Sequence, residues 1–153
     1  MSDSDGAGEG PGLYFRLFNE IGIIEQLSRA AFQARLPDGV LVSHFAVLNH
    51  LVRVADGRTP LELSNAFQLP KTTMSHTLML LEKRDWIEMR PNPDDKRSKR
   101  VWLTDAGRAF REEAIKSLGG EIGWLAEVFP PEEAQALLPG LERLRVLLDA
   151  RRD

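Results

Sequence analysis

Apolar side chains recur at spacings of three and four residues through most of this chain, and that spacing is typical of amphipathic helices. It predicts a first helix over residues 13–35 and a second that begins after Ser43, as its N-cap, and ends near residue 55. Two short segments, residues 86–90 and 99–103, instead alternate apolar and polar side chains, which is the period of β-strands. The expected fold class is therefore mostly α-helical with a small antiparallel β-hairpin.

The middle of the chain has the pattern of a helix-turn-helix. Thr59, Pro60 and Glu62 have the spacing of a capping box at the start of a helix. Pro70 disfavours helical geometry at the residue before it, so a turn is expected there. A second helix is then predicted over residues 71–84. A short capped helix, a tight turn and a second helix form a common DNA-reading arrangement.

The second of these helices has one apolar stripe and a polar opposite face. Met74, Leu78 and Leu81 fall on the stripe. Hydroxyl and imidazole groups on the polar face suit base edges and phosphates, and the thioether of Met79 suits a thymine methyl group. An ordinary solvated helix face is the alternative interpretation. The residues of this helix predicted to contact DNA are Lys71, Thr72, Thr73, Ser75, His76 and Met79.

The segment between the two predicted strands combines turn residues with dense charge. Residues 91–95 read Pro-Asn-Pro-Asp-Asp, and four of the next five residues are the cations Lys96, Arg97, Lys99 and Arg100. Such a projecting loop suits phosphates or a narrow minor groove. A solubilising surface hairpin is the alternative. The adjacent aspartates are interpreted as part of the loop architecture rather than as a metal site.

Residues 63–110 resemble the winged helix-turn-helix of MarR-type (multiple antibiotic resistance regulator) transcription factors. Asp95 and Arg97 match the Asp-x-Arg motif of the family's wing, and residues 103–107 match the Leu-Thr-x-x-Gly that opens the next helix. The resemblance implies a homodimer, a palindromic DNA target and ligand-relieved repression. It also implies that Arg97 enters the minor groove, positioned by Asp95, with Lys96 and Lys99 beside it.

Two positions depart from the family's pattern. His76 stands where the recognition helix often has arginine, and histidine cannot make the bidentate contact of arginine to guanine. A different operator sequence, or weaker base readout, is therefore expected. Asp85 stands where a glycine usually ends that helix, and it tolerates a left-handed backbone less well than glycine does.

Charge is unevenly distributed along the chain. The formal net charge is −3, but residues 71–111 hold ten Lys or Arg and six Asp or Glu, which gives +4 and leaves −7 for the remainder. A basic segment within an otherwise acidic chain is expected of a protein that binds nucleic acid without binding anions indiscriminately.

The spacing of apolar residues and the family resemblance together divide the chain into four regions. Residues 1–12 are expected to be a disordered tail, 13–38 an N-terminal dimerisation helix, 39–104 the DNA-binding domain, and 105–153 the C-terminal helices of the dimerisation region. A first helix wrapped by its own domain is the alternative to dimerisation. The Gly119–Gly120 pair is expected to kink a long helix, and Pro139 to separate the first turns of the last one.

Several classes of function are disfavoured by what the sequence lacks. It has no cysteine, which excludes disulfides, zinc-thiolate sites and thiol-based redox sensing by this chain. His44 and His50 are six residues apart on one helix and cannot share a metal ion. No catalytic constellation, metal site or cofactor site is predicted, and no stretch of 18 apolar residues suggests a membrane segment. A soluble cytoplasmic protein is expected.

The prediction is therefore a sequence-specific transcriptional regulator that binds double-stranded DNA and itself, and it is not expected to be an enzyme. A small-molecule effector is expected from the resemblance, with His44 the one candidate for its pocket. A winged-helix module that binds protein rather than DNA is the alternative.

Overall fold

The computed structural model describes residues 10–152, which divide into two compact units, one ending at Lys116 and the other beginning at Ser117. The predicted tail lies mostly outside the described residues, although its last two residues already belong to the first helix. The elements in chain order are α1 Pro11–Gln33, α2 Val42–Arg53, α3 Pro60–Phe67, α4 Lys71–Lys83, β1 Ile87–Pro91, β2 Lys99–Leu103, α5 Asp105–Ile122, α6 Leu125–Val128 and α7 Pro131–Asp149. The predicted class, mostly α-helical with a two-stranded antiparallel sheet, is confirmed.

The core of the first unit is built from the predicted apolar stripes. The α4 stripe is buried, and it packs with α2, α3 and the inner face of the hairpin. The two strands pair antiparallel, with Ile87 opposite Leu103 and Met89 opposite Val101, so that alternate side chains of each strand face the core. The buried cluster consists of Val47, Leu48, Leu51, Leu63, Met74, Leu78, Leu81, Ile87 and Val101.

Helix α2 begins earlier than predicted, and Ser43 is not its N-cap. The N-cap is Leu41, whose backbone N–H donates to Nδ1 of His44 at 3.0 Å. The next N–H, that of Val42, donates to Oε1 of Gln33 at 2.9 Å, and the amide nitrogen of Gln33 donates to the carbonyl of Val40. Two N–H groups at the start of α2 are therefore satisfied by a histidine inside the helix and by a side chain of α1.

The first strand begins one residue later than predicted, at Ile87. The N–H of Trp86 donates to the carbonyl of Leu81 at 3.1 Å, so Trp86 closes the end of α4 instead of entering the hairpin. The strand extends one residue further at its other end, where Pro91 lies opposite Lys99.

The second unit corrects two predictions about its helices. Helix α5 continues through Gly119 and Gly120 but ends at Ile122, and Leu125–Val128 forms the separate helix α6, so the expected single kinked helix is wrong. Helix α7 is continuous from Pro131 and contains Pro139, so the expected separation of its first turns is wrong. A proline removes one backbone hydrogen bond from a helix, and here the bonds of the neighbouring turns are sufficient to continue it.

Candidate nucleic-acid interface

The outer face of α4 is the first component of the candidate interface. Met74, Leu78 and Leu81 are buried, as their spacing predicted, and Thr77 is buried beside them. The exposure of the opposite face is confirmed, whereas its contacts with DNA stay a prediction. The exposed side chains of that face are Lys71, Thr72, Thr73, Ser75, His76, Met79 and Lys83.

The C-terminal end of α4 is fixed by residues from outside the helix. Asp85 has a φ of 60°, the left-handed conformation that the missing glycine would adopt more easily. Its carbonyl accepts a hydrogen bond from the hydroxyl of Thr104. That hydroxyl also accepts from the N–H of Gly107 at 3.0 Å, and this bond caps α5. One threonine therefore joins the end of α4 to the start of α5.

Gly107 allows this junction to close. A Cβ at this position would lie 2.0 Å from the carbonyl oxygen of Trp86, a distance no side chain tolerates. The same carbonyl accepts the N–H of Thr104 at 3.1 Å, and the Trp86 ring stacks on Phe110 with 3.8 Å between ring centroids. The glycine of the Leu-Thr-x-x-Gly pattern is thus required by the close approach of α5 to the segment that follows α4.

Helix α3 begins as the sequence predicted. Oγ1 of Thr59 accepts from the N–H of Glu62 at 3.1 Å and donates to the Glu62 carboxylate at 3.2 Å. Arg58 donates to the other carboxylate oxygen of Glu62 at 2.6 Å. The bond from Arg58 is the main reason that the pKa of Glu62 lies below its usual value.

The turn between α3 and α4 depends on a polar residue with a left-handed backbone. Gln68 has a φ of 51° and ends α3. The buried hydroxyl of Ser64 donates to the carbonyl of Leu69 at 2.6 Å, which satisfies a carbonyl that no helix pairs. The chain then enters α4 through Pro70, its N-cap.

The tip of the hairpin is organised by Asn92, a buried side chain within a charged loop. Its Oδ1 accepts from the N–H of Asp94 at 3.0 Å and from Nε of Arg100 at 3.1 Å. Its Nδ2 donates to the hydroxyl of Ser98 at 2.9 Å. Backbone bonds of Asn92 with Ser98 and Asp95 complete the loop. The asparagine amide thus replaces the backbone pairing that a tighter hairpin would have.

The four cations of the tip fall into two groups. Arg100 is held inside the loop by Asn92 and by an ion pair with Asp94. Lys96, Arg97 and Lys99 are exposed, and the Arg97 side chain is 93% exposed. Oδ1 of Asp95 accepts from the backbone N–H of Arg97 at 3.0 Å and lies 3.4 Å from its Nε.

A third chain segment, residues 56–58, supports the hairpin. Arg58 forms a single bridge with Val101, and the N–H of Gly57 donates to the Val101 carbonyl at 3.0 Å. Oδ1 of Asp56 accepts from the N–H of Leu103 at 2.9 Å. The base of the wing is thereby tied to the end of α2.

His44 is buried at the start of α2. Its Nδ1 accepts the N–H of Leu41, which requires that this nitrogen carry no proton. Burial lowers the pKa of His44, and the nearby positive charges of Arg84 and His76 lower it further. The ring therefore stays neutral at neutral pH and acts as a cap for the helix. Its predicted place in an effector pocket stays a prediction.

The described residues hold no group of three His, Asp or Glu side chains that would bind a metal ion. Between residues 10 and 152, no helix combines the length and the apolar character needed to span a membrane.

Comparison with known proteins places this arrangement in a family. A model of the MarR family matches residues 38–98. The multiple antibiotic resistance protein MarR of Escherichia coli (strain K12) is 30% identical over an alignment of 114 residues, and the match covers 69% of this chain and 78% of that protein. The chain belongs to the MarR family. The MarR protein of Salmonella typhimurium is 33% identical over 86 residues, covering 56% of this chain and 59% of that protein.

Solved structures give the same assignment. Wild-type MarR (apo form) from E. coli has a TM-score of 0.70 and 27% identity, covering 84% of this chain and 96% of that one. A mutant MarR from E. coli complexed with operator DNA has a TM-score of 0.67 and 25% identity, covering 90% and 99%. The regulator BldR from Sulfolobus solfataricus, at 21% identity and a TM-score of 0.72, shares the fold. This MarR-family chain is a winged-helix, DNA-binding transcription regulator.

Three residues that shape the MarR-type site were missed or left unexplained by the sequence analysis. Asn92 precedes a proline in a turn-rich segment, a frequent setting for asparagine bonds to nearby backbone, and that signal was available. The reason for the family's glycine at Gly107 required the position of Trp86. The bond of Asp56 to Leu103 joins residues 47 positions apart and has no local signal.

Proposed function

We propose that this transcriptional regulator binds a palindromic operator as a homodimer and represses the adjacent promoter until a small-molecule effector weakens its binding. The observation that carries the proposal is the pairing of an exposed polar α4 face with a wing that holds three exposed cations. A helix can enter the major groove while a neighbouring projection reaches the backbone or the minor groove.

The α4 face supplies the base contacts in this proposal. The hydroxyls of Thr72, Thr73 and Ser75 donate to or accept from base edges and phosphates, and Lys71 adds a charge at the first turn. His76 takes the position where arginine is frequent in the family, so the preferred half-site differs from one read by a bidentate guanine contact.

The wing supplies most of the electrostatic contacts. Arg97 reaches the minor groove, and Asp95 orients it by binding both its backbone N–H and its guanidinium. Lys96 and Lys99 flank it and have no ion-pair partner within residues 10–152. Each contact with a phosphate releases condensed counterions, so binding becomes steeply dependent on salt.

The homodimer is supported by exposed apolar side chains at both ends of the chain. A monomer rarely exposes so many large apolar groups on its terminal helices. On α1 they are Leu13, Tyr14, Phe15, Leu17, Phe18, Ile23, Ile24 and Leu27. In the second unit they include Trp124, Leu125, Val128, Leu137, Leu138, Leu141, Val146, Leu147 and Leu148. Light scattering of the purified protein is expected to give twice the 17.2 kDa mass of one chain.

The effector is the part of the proposal that rests on family resemblance alone. His44 is its one candidate residue, and it lies at the start of α2, near Arg84 and His76. An effector that relieves repression must bind the form with low DNA affinity more tightly than the form that binds DNA. Titrating aromatic carboxylates into the operator complex, with His44→Gln as the comparison, tests this part by itself.

Selection of bound sequences from a random DNA pool is the test of the whole proposal. An enriched inverted repeat with half-sites about one helical turn apart, roughly 34 Å, is the expected result. Enrichment of a single half-site would argue against the dimer. Absence of any enriched sequence, with capture of a protein ligand, would favour the protein-binding alternative.

Arg97→Ala tests the wing, with Arg143→Ala as its control. Both variants lose one exposed arginine, but Arg143 lies on α7 in the second unit. We expect Arg97→Ala to weaken operator binding at least tenfold and to flatten the salt dependence by about 0.9 per lost phosphate contact. Equal affinities for the two variants would contradict the role proposed for the wing.

A further inference from the structure

Met79 is a large apolar side chain placed alone on the polar face of the recognition helix. It is 66% exposed, whereas Met74 on the same helix is 1% exposed and belongs to the core. Within α4, the neighbours of Met79 at helical spacings of three, four and seven are Thr72, Ser75, His76, Glu82 and Lys83, and all of them are exposed. No packing requirement within the described chain accounts for a thioether in the middle of this face.

We propose that Met79 is a site of oxidative modification, and that its conversion to the sulfoxide weakens operator binding. The inference rests on the proposed function, because it assumes that this face of α4 meets DNA. The oxidant is a two-electron oxygen donor of the peroxide class. The thioether sulfur attacks the peroxide, the O–O bond breaks and an S–O bond forms. With hydrogen peroxide the products are the sulfoxide and water, so sulfur is oxidised by two electrons and the peroxide is reduced.

Exposure makes this reaction selective. Oxidation of methionine follows the accessibility of its sulfur, so the buried Met74 is protected by the fold. Met89 is half-buried against the core cluster, on the inward side of β1. The chain has no cysteine, and the thiol chemistry that would otherwise consume peroxide is absent from the sequence. Of the methionines that the structure describes, Met79 is therefore expected to react first.

The consequence for DNA binding follows from the change in polarity. The thioether can rest against the methyl group of a thymine at little cost in solvation. The sulfoxide is polar and chiral, and its oxygen would lose water on entering that contact without a matching donor. We expect operator affinity to fall by roughly tenfold or more. Because methionine sulfoxide reductases reverse the reaction, the loss is reversible.

The experiment exposes the full-length protein to hydrogen peroxide and follows two readouts. Peptide mass spectrometry is expected to find Met79 oxidised before Met74 and Met89. Operator affinity, measured on the sequence selected from the random pool, is expected to fall in step with Met79 oxidation and to return after treatment with sulfoxide reductases. Bound operator should slow oxidation of Met79 and leave that of Met89 unchanged.

Two variants separate the proposed cause from others. For Met79→Leu, the ratio of affinities before and after peroxide should stay near one, whatever the affinity of the untreated variant. Met89→Leu is the matched control, and it should keep the full response to peroxide. A loss of affinity that persists in Met79→Leu would overturn the inference, because another oxidised residue would then be responsible.

The remaining outcomes also decide between hypotheses. If untreated protein selects an operator and the Met79 sulfoxide binds it equally well, the inference is wrong and the proposed function stands. If untreated protein enriches no DNA sequence, the proposed function and this inference both fail.

Discussion

Replacing Asn92 with Ala removes the organising side chain of the wing tip while leaving every cation in place. The substitution deletes three side-chain hydrogen bonds, to Ser98, Asp94 and Arg100. It also frees Arg100 from one of the two partners that hold it inside the loop. The charge of the wing is unchanged, so any loss of DNA affinity reports on the shape of the tip.

The magnitude follows from the bonds that are lost. A net intramolecular hydrogen bond stabilises a fold by about 1 kcal/mol, so the three together stabilise the ordered tip by roughly 3 kcal/mol. The last paired residues of the hairpin are Pro91 and Lys99, and the core contacts are made further along by Ile87 and Val101. The tip can therefore lose order without global unfolding. The free energy of ordering must then be supplied on binding, which lowers DNA affinity by up to about a hundredfold.

Three measurements check this reasoning. Hydrogen exchange should show loss of protection at the amides of Ser98 and Asp95, whose partners are backbone carbonyls within the tip. Urea denaturation should show a change of about 1 kcal/mol or less in the free energy of unfolding of the whole unit. DNA affinity should fall in the same variant at constant salt.

Asn92→Asp is the control for order in the tip. It keeps an acceptor oxygen for the N–H of Asp94 and for Arg100, so exchange protection should stay close to that of the wild type. If Asn92→Ala kept both its exchange protection and its operator affinity, the tip would be held by other contacts and this account of the wing would be wrong.

Three further predictions concern stability. Gly107→Ala should lower the free energy of unfolding in urea by about 3 kcal/mol, because its Cβ meets the Trp86 carbonyl; a change under about 0.5 kcal/mol would contradict that packing. Asp85→Gly should raise it by about 1 kcal/mol, since φ is 60° there, and a destabilised variant would oppose the argument. Burial lowers the pKa of His44 and His50 in the folded state, so the unfolded chain takes up protons first as pH falls. Stability is then complete above about pH 6.5 and decreases below it, and urea titrations should find this slope reduced when both histidines are changed to Gln.

Most of the fold was predictable because its signals are local. The spacing of Met74, Leu78 and Leu81 identified the buried stripe of α4, and alternation identified both strands to within one residue. The start of α2 was not predictable in this way. Serine is a common N-cap residue, which favoured Ser43. The N–H groups of Leu41 and Val42 are instead satisfied by His44 and by Gln33, and the position of Gln33 depends on how α1 and α2 pack.

The candidate site was likewise predictable only where its signals are local. That Thr72, His76 and Met79 face outward follows from helical geometry, and the structure confirms their exposure. What holds the site in place depends on contacts between distant segments. The hydroxyl of Thr104 donates to the carbonyl of Asp85, 19 residues earlier in the chain, and no pattern within either segment predicts that contact. Sequence therefore predicts which surface is presented more readily than it predicts what supports that surface.

Counting the cations of the wing in the sequence overestimates how many of them are available to bind DNA. Four cations within five residues have equal weight in the sequence, but Arg100 is bound to Asp94 and its side chain is only 31% exposed. A cation already paired with a carboxylate attracts fewer counterions, and it releases fewer when DNA binds. Its contribution is to the shape of the loop. The exposed Lys96, Arg97 and Lys99 remain for DNA, and if each neutralised one phosphate charge, two wings of a dimer would contribute a salt slope of about −5. A chain with a net charge of −3 can bind DNA on these terms, since these three exposed cations project on one loop while most of the acidic charge lies elsewhere in the sequence.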